Sequence, residues 1–350
     1  MSIRQAQDKQ RLIIIDGNAI LHRAYHAMPP LTTSKGELVN AVYGFCSMLL
    51  KVRDELNPSC FAVTFDLPKP TFRKKLFAGY QAKRPKMVDE LSGQIERVKE
   101  LVRTLGIPIY EKEGYEADDV IGTLAFQAEM ANSELRIKKE KETSTPFAIH
   151  NSEFEIIVVT GDRDLLQLVD NHTKVYMLIR GLTEATLFDE EKVIEKYGLR
   201  PAQIPDYKAL IGDQSDNYSG VSGIGPKTAV NLLSQYGTVE KLYKEIEQLK
   251  KTRSKIATSA LQNEIIKDRL IKGKQDAKLS KQLATIITNV SVKLNLKKCQ
   301  IGDFSNPEVI KFLEELEFKS LIGRLSKKPE DVISKKTEDE KKDEQMSLLE

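Results

Sequence analysis

The sequence predicts an α/β fold, a mainly parallel central sheet flanked by helices, followed by a purely helical region. Two observations carry this. Apolar runs of strand length recur at 12–15, 61–65, 107–110 and 156–159, and continuous apolar runs mark strands buried on both faces. Between them, 38–55, 92–105 and 117–130 show a helical apolar period, and strand–helix alternation places helices on both faces of a parallel sheet. From about Pro201 onward no strand pattern occurs.

The 350 residues hold 54 Lys and Arg against 51 Asp and Glu, a net charge of +3. This near-balance excludes a polycationic nucleic-acid coat and an acidic disordered chain. The charge-free stretch 38–50 is shorter than the ~20 residues a bilayer requires and reads as a buried helix. The N-terminal segment is polar and lacks the apolar core of a secretory signal. Three cysteines without CxxC spacing speak against a disulfide frame or zinc site. These features predict a cytoplasmic globular protein.

Along the chain, an α/β core is expected over 11–200. Within it, 133–155 is polar and reads as a surface insertion. A helical region follows over 201–300, rich in Lys and Arg at 250–255 and 267–281. The amphipathic segment 308–325 is expected to pack back on the core, within a 301–326 unit. The tail 327–350 holds 14 charges and almost no core material.

Each candidate strand ends in, or leads into, acid. Asp16 closes LIIID, Asp66 closes FAVTFD, and IIVVTGDRD runs into Asp162 and Asp164. EGYEADD supplies Glu116, Asp118 and Asp119 at an expected helix start, and IGDQSDN supplies Asp213 and Asp216. In a parallel sheet the carboxyl ends of the strands share the edge where ligands bind, so nine carboxylates converge there. Singly, each reads as a turn or cap residue. Together they repel strongly, and divalent cations remove that objection. All-oxygen ligands favour Mg²⁺ or Mn²⁺ over zinc, and two such ions suit phosphodiester hydrolysis.

Residues 69–86 hold Lys69, Arg73, Lys74, Lys75, Lys83, Arg84 and Lys86, with Phe72, Phe77 and Tyr80 interleaved and no acid. Cations with aromatics suit single-stranded nucleic acid. Arg23 lies in the first helix within reach of a phosphate, or snorkels from it. His22 and His26 are spaced i, i+4 but lack a third nitrogen or sulfur ligand, which favours packing or hydrogen-bonding roles. In GVSGIGPKTA, Gly220, Gly223 and Gly225 allow a tight turn before Pro226, Lys227 and Thr228. Free amides at that helix start bind phosphate without reading sequence.

The blocks IIIDGNAILHRAYHA, FAVTFDLPKPTFRKKLFAGYQAKRPKM, EGYEADDVIGTLA, VVTGDRDLLQLV, YKALIGDQSDNYSGVSGIGPKTA and ELEFKSLIGRL resemble the 5′→3′ exonuclease domain of bacterial DNA polymerase I, in the flap endonuclease family. The resemblance covers about 11–326 and implies a PIN-like, flap-nuclease core with a helical arch at 69–92 and a C-terminal helix-hairpin-helix module at 220–237. It implies that Asp16, Asp66, Glu116 and Asp118 surround a first metal, and that Asp162, Asp164, Asp213 and Asp216 surround a second, with Asp119 nearby. Arg23, Arg73 and Arg84 match positions that contact the scissile strand. Gly220–Thr228 matches the hairpin that grips duplex DNA, often around a K⁺ ion.

The family's arch block usually reads Tyr-Lys-x-x-Arg, and here Gln81 follows Tyr80, with Lys83 two positions on. Help to the transition state therefore comes from Lys83 by rearrangement or is reduced. A catalytically weak or inactive flap-DNA-binding protein is the alternative that Gln81 favours. A related metal-dependent ribonuclease would lack the hairpin. No polymerase-like sequence follows residue 326, which implies a stand-alone nuclease or a fragment. Gln345–Leu349 resembles the peptide with which bacterial replication proteins dock on the sliding clamp. The expected function is a two-metal 5′→3′ exonuclease and 5′ flap endonuclease in primer removal and DNA repair. It would act in the cytoplasm at the nucleoid, on flapped or nicked DNA and RNA primer strands, beside a separate polymerase.

The net charge of +3 conceals opposed fields: the tail has six basic and eight acidic residues, so the body is more basic than the total suggests.

Overall fold

A computed structural model of the chain describes residues 10–142, 154–252 and 261–325. In chain order these form β1 (Arg11–Asp16), α1 (Gly17–Ala27), α2 (Asn40–Leu56), β2 (Cys60–Thr64), α3 (Phe72–Leu76), α4 (Asp89–Thr104), β3 (Ile109–Tyr110), α5 (Ala117–Glu142), β4 (Glu155–Thr160), β5 (Thr173–Arg180) and β6 (Glu184–Phe188). Helices follow: α6 (Glu190–Tyr197), α7 (Ile204–Ile211), α8 (Pro226–Tyr236), α9 (Val239–Thr252), α10 (Glu264–Lys272), α11 (Lys274–Ala284), α12 (Leu296–Cys299), α13 (Pro307–Glu315) and α14 (Lys319–Leu325). Among the described residues, no helix is long and apolar enough to cross a membrane.

The strand order is β3-β2-β1-β4-β5-β6, parallel throughout except for β6 against β5. Side chains alternate across a strand, so the apolar runs split between two cores. Ile13, Ile15, Phe61, Val63, Ile157 and Val159 face α1, α2 and α4. Leu12, Ile14, Ala62, Ile156 and Val158 face α5. Both faces being covered explains why the runs read as continuous rather than alternating.

The sequence reading misses β5 and β6. Glu184–Phe188 is half-exposed over most of its length and carries no continuous apolar run, which is how a short polar edge strand blunts the sheet's margin. The run at 107–110 yields only the two-residue β3. The stretch 133–155 is in part regular structure, since α5 continues to Glu142 and β4 begins at Glu155; 143–153 lie outside the described residues, as do 253–255 and the tail with Gln345–Leu349.

Helices α7–α11 build a separate core around Leu210, Leu232, Leu233, Leu242 and Leu270. The chain returns to the sheet before residue 301, because Ile286, Val292, Leu294, Leu296 and Cys299 already join the α5 face. Val309, Phe312, Leu313, Phe318, Leu321 and Leu325 then pack on the opposite face, carried by the two helices α13 and α14 and the link between them, where the sequence reading expects a single C-terminal helix over 301–326.

Candidate active site

Strand order reverses between β1 and β4, and the crevice beyond their carboxyl ends is where an open α/β sheet binds ligands. A cavity of about 1180 Å³ opens there. It is lined by Asp16, Asp66, Glu116, Asp118, Asp162, Asp164 and Asp216, and by Arg23, Arg84, Lys69 and Lys74.

Backbone geometry places the acids. Asp16 ends β1 and caps α1, accepting from the Ala19 amide at 3.0 Å and from the Thr160 hydroxyl at 2.7 Å. Asp66 accepts from the Ala117 amide at 2.7 Å, a free donor at the start of α5. The Asn18 side chain fixes the Asp66 backbone at 2.8 Å. Asp162 receives the Asp164 amide at 2.8 Å. Asp213 and Asp216 sit on a loop pinched shut by two glycines: a Cβ on Gly212 would meet the Ser219 carbonyl carbon at 2.4 Å, and one on Gly220 the Gly212 nitrogen at 2.3 Å.

The charges stand in mutual opposition. Burial pushes Asp16 up to about 7, with Asp66 and Asp162 adding to it against the hydrogen bonds from Ala19 and Thr160. Glu116 is likewise pushed up to about 7, by burial first, in spite of Arg73. Removal from water, and the charges of Asp162, Asp16, Asp66 and Glu116, raise Asp118 well above the carboxylate range. Burial raises Asp164 to about 6, opposed by Lys208. At Asp213 burial is outweighed by Lys208 and Ser215, which bring it to about 2.

A pH dependence follows. Between the ordinary values, 3.8 for Asp16 and 4.5 for Glu116, and about 7, the folded chain keeps protons that the unfolded chain has released. Stability of the metal-free protein therefore falls as pH rises through that window. Melting in a chelator is expected to be lower at about pH 8 than at about pH 5, and added Mg²⁺ to restore it mainly at the higher pH. Equal melting at both would contradict the assigned crowding.

Several expected roles change. Asp119 does not line the cleft; fully buried, it accepts two hydrogen bonds from Arg73, at 2.6 and 2.8 Å, and the amides of Glu116 and Ile287. With its oxygens spoken for, it is no metal ligand as it stands. Arg73 is equally committed, donating also to the carbonyls of Leu283 at 2.8 Å and Thr285 at 3.0 Å. It anchors the 72–84 segment rather than offering its charge to a phosphate. Tyr80 is buried, its hydroxyl shared between Glu116 at 3.1 Å and Asp216 at 3.0 Å, so its ring is not free to stack on a base. Lys83 and Lys75 are exposed and outside the cleft lining. Asp213 is also outside it, behind Lys208.

Instead of a long helical arch, 69–92 forms the five-residue α3, a series of turns, and the start of α4. Gln81 adopts φ +53° and donates its amide to the Asp216 carbonyl at 2.9 Å. Arg84 pairs with Asp216 at 2.7 Å, and Lys69 with Glu113. Arg23 lines the cleft beside Gly161 and, among the described residues, makes no hydrogen bond or ion pair. The His22 and His26 rings lie 4.6 Å apart on the cleft wall.

Sequence reasoning missed Lys208, which pairs with both Asp164 and Asp213. Its signal was its place as the one cation of α7, in the turn before the acidic loop. Thr160 was also missed: it receives the Asp162 amide at 2.9 Å while donating to Asp16. Among the described residues no three carboxylates converge on one ion as they stand, because Arg73, Tyr80, Arg84 and Lys208 hold several of them. The donor set nonetheless fits hard divalent ions: the lining acids are oxygen donors and are destabilised without counter-charge.

At the hairpin, Gly223 takes φ +78°, and its carbonyl accepts from Arg269 at 2.8 Å. Gly225 caps α8 with Pro226 at its first turn, leaving the Lys227 and Thr228 amides without helical acceptors.

Two family models match: the 5′–3′ exonuclease N-terminal resolvase-like domain over residues 11–139 and the 5′–3′ exonuclease C-terminal SAM fold over 199–307. A 5′–3′ exonuclease of Aquifex aeolicus is 36% identical over 316 residues, covering 90% of this chain and 95% of that protein. DNA polymerase I of Caldicellulosiruptor bescii is 39% identical over 317 residues, 90% of this chain. The chain spans about a third of such polymerases' length (33% for that one). Among solved structures, the T5 5′-exonuclease with bound zinc has a TM-score of 0.55 at 16% identity, covering 93% of this chain and 99% of that one. The catalytic core of Rad2 with a DNA substrate has a TM-score of 0.51 at 14% identity, covering 90% of each chain. Both share the fold. The chain belongs to the 5′–3′ exonuclease family and is a nuclease.

Proposed function

We propose that the chain hydrolyses phosphodiesters at 5′ ends, nicks and 5′ flaps of DNA, and on RNA primer strands, using two divalent ions, Mg²⁺ or Mn²⁺. The observation that carries this reading is the convergence of seven carboxylates on the switch-point cleft with an unpaired arginine beside them. Asp16, Asp66, Glu116 and Asp118 would hold one ion, and Asp162, Asp164, Asp213 and Asp216 the other. Bound there, the ions supply an activated water and charge stabilisation for the leaving oxygen. Arg23 orients the scissile phosphate, and Arg84 is available once Asp216 is engaged elsewhere. Lys74 and Lys69 guide the single strand toward the cleft.

The free amides of Lys227 and Thr228, with the Lys227 ammonium, hold duplex phosphates at a helix start. That contact carries no base information, so recognition follows junction shape. A K⁺ ion at the hairpin has fewer loop carbonyls than its length suggests, since Gly223 is capped by Arg269. Primer removal and excision repair at the nucleoid, beside a polymerase and the sliding clamp through Gln345–Leu349, complete the reading.

Incubating a 5′-labelled flap DNA with the protein and Mg²⁺ is expected to release the flap with a 5′-phosphate and 3′-hydroxyl at the junction, and a chelator to stop release. Tight flap binding without cleavage would favour a non-catalytic binding protein, for which Gln81 is the one supporting feature.

A further inference from the structure

We propose that the Lys208 ammonium is a built-in counter-cation of the second carboxylate set, so that a divalent ion reaches Asp164 and Asp213 only by displacing it. This deepens the two-ion reading and rests on it. Lys208 projects from α7 with its side chain 16% exposed and pairs with Asp164 Oδ1 and Asp213 Oδ2 at once. The other oxygen of Asp213 already accepts from the Ser215 amide and hydroxyl, at 2.7 and 2.6 Å, and from the Asp216 amide at 3.2 Å. Asp213 therefore has Oδ2 to offer an ion, and Lys208 occupies it.

The first set differs. Asp16 and Asp66 accept from a hydroxyl and backbone amides, and among the described residues no ion pair joins Asp16, Asp66 or Asp118 to a lysine or arginine. One ion thus enters a set in which Glu116 alone has a cation, Arg73 at 3.3 Å, whereas the other must displace Lys208 from both Asp164 and Asp213, with Asp216 also paired to Arg84. In a half-buried setting, removing a charge partner is costly. Binding is ordered and unequal in consequence. The displaced ammonium has a polar group to move toward: the Tyr218 hydroxyl is buried without a hydrogen-bond partner.

The test is a Mn²⁺ titration of the full chain without DNA, by calorimetry and by the spin-resonance signal of free Mn²⁺. The wild type is expected to bind one ion tightly and one weakly. Lys208→Met is expected to tighten the weaker ion roughly tenfold or more, to lower the metal-free melting temperature, and to enlarge the rise on adding Mn²⁺. Should the variant not fold without metal, Mn²⁺ is expected to restore folding; failure in both conditions counts against the proposal. Two equal sites in the wild type, or an unchanged weaker site in Lys208→Met, would overturn it. No Mn²⁺ binding by the wild type at all would reject the two-ion reading along with it.

Discussion

Asp118→Asn is expected to lower cleavage by on the order of 10³-fold or more while making the metal-free protein more stable. The two effects share one cause. Asp118 is crowded by Asp162, Asp16, Asp66 and Glu116 and held far above the ordinary carboxylate range, so its ionised form opposes folding at neutral pH. The amide is nearly isosteric, carries no charge and removes that opposition. On the proposed two-ion reading it also removes an anionic ligand of the first ion, and losing several kcal/mol of transition-state charge stabilisation corresponds to a factor of about 10³. A raised melting temperature in chelator, with flap cleavage lost and flap binding retained, is the expected pattern. Stability gained without loss of cleavage would show that the carboxylate does not serve the reaction. This is the trade between function and stability expected where an active site stores unfavourable charge.

Arg73→Met is expected to destabilise the protein by about 3–5 kcal/mol, the range for breaking one side of a buried ion pair. The guanidinium uses all its donors: two to Asp119, one each to the Leu283 and Thr285 carbonyls, and one directed to Glu116 at 3.3 Å. Truncation leaves Asp119, fully buried, facing fewer donors, and frees two carbonyls at the end of α11. Arg73→Lys is expected to recover little, because a point ammonium cannot make the two-pronged pair and reach both carbonyls. Urea unfolding measures the loss. A variant of normal stability but weaker DNA binding would return Arg73 to the phosphate-contact role that its sequence context suggested.

That reassignment shows where reading by residue type stops. A run of seven cations without acid between 69 and 86 looks like one nucleic-acid surface. Folding sorts it: Arg73 turns inward to Asp119, Arg84 reaches Asp216, Lys74 stays at the cleft, and Lys75 and Lys83 face solvent. Charge alone cannot tell these apart, because the distinction depends on which partner each cation meets from a distant segment. Tyr80 is similar. Its phenol was legible as an aromatic among cations, whereas its two carboxylate partners come from 36 and 136 residues away.

The sequence by itself determined the buried parallel strands, through unbroken apolar runs, and the acids that end them. Because side-chain direction along a strand and the edge shared by parallel strands follow from local geometry, the convergence of Asp16, Asp66, Asp118 and Asp162 was implied before any packing was known. So was the glycine hairpin, whose turn and helix start are local. The tertiary structure alone decided which charges pair: Asp119 with Arg73, Asp216 with Arg84 (and with the Tyr80 hydroxyl as a hydrogen-bond donor), and Asp164 and Asp213 with Lys208. Those pairings join segments far apart in the chain, and their energies depend on distance and removal from water, neither of which is written in residue order.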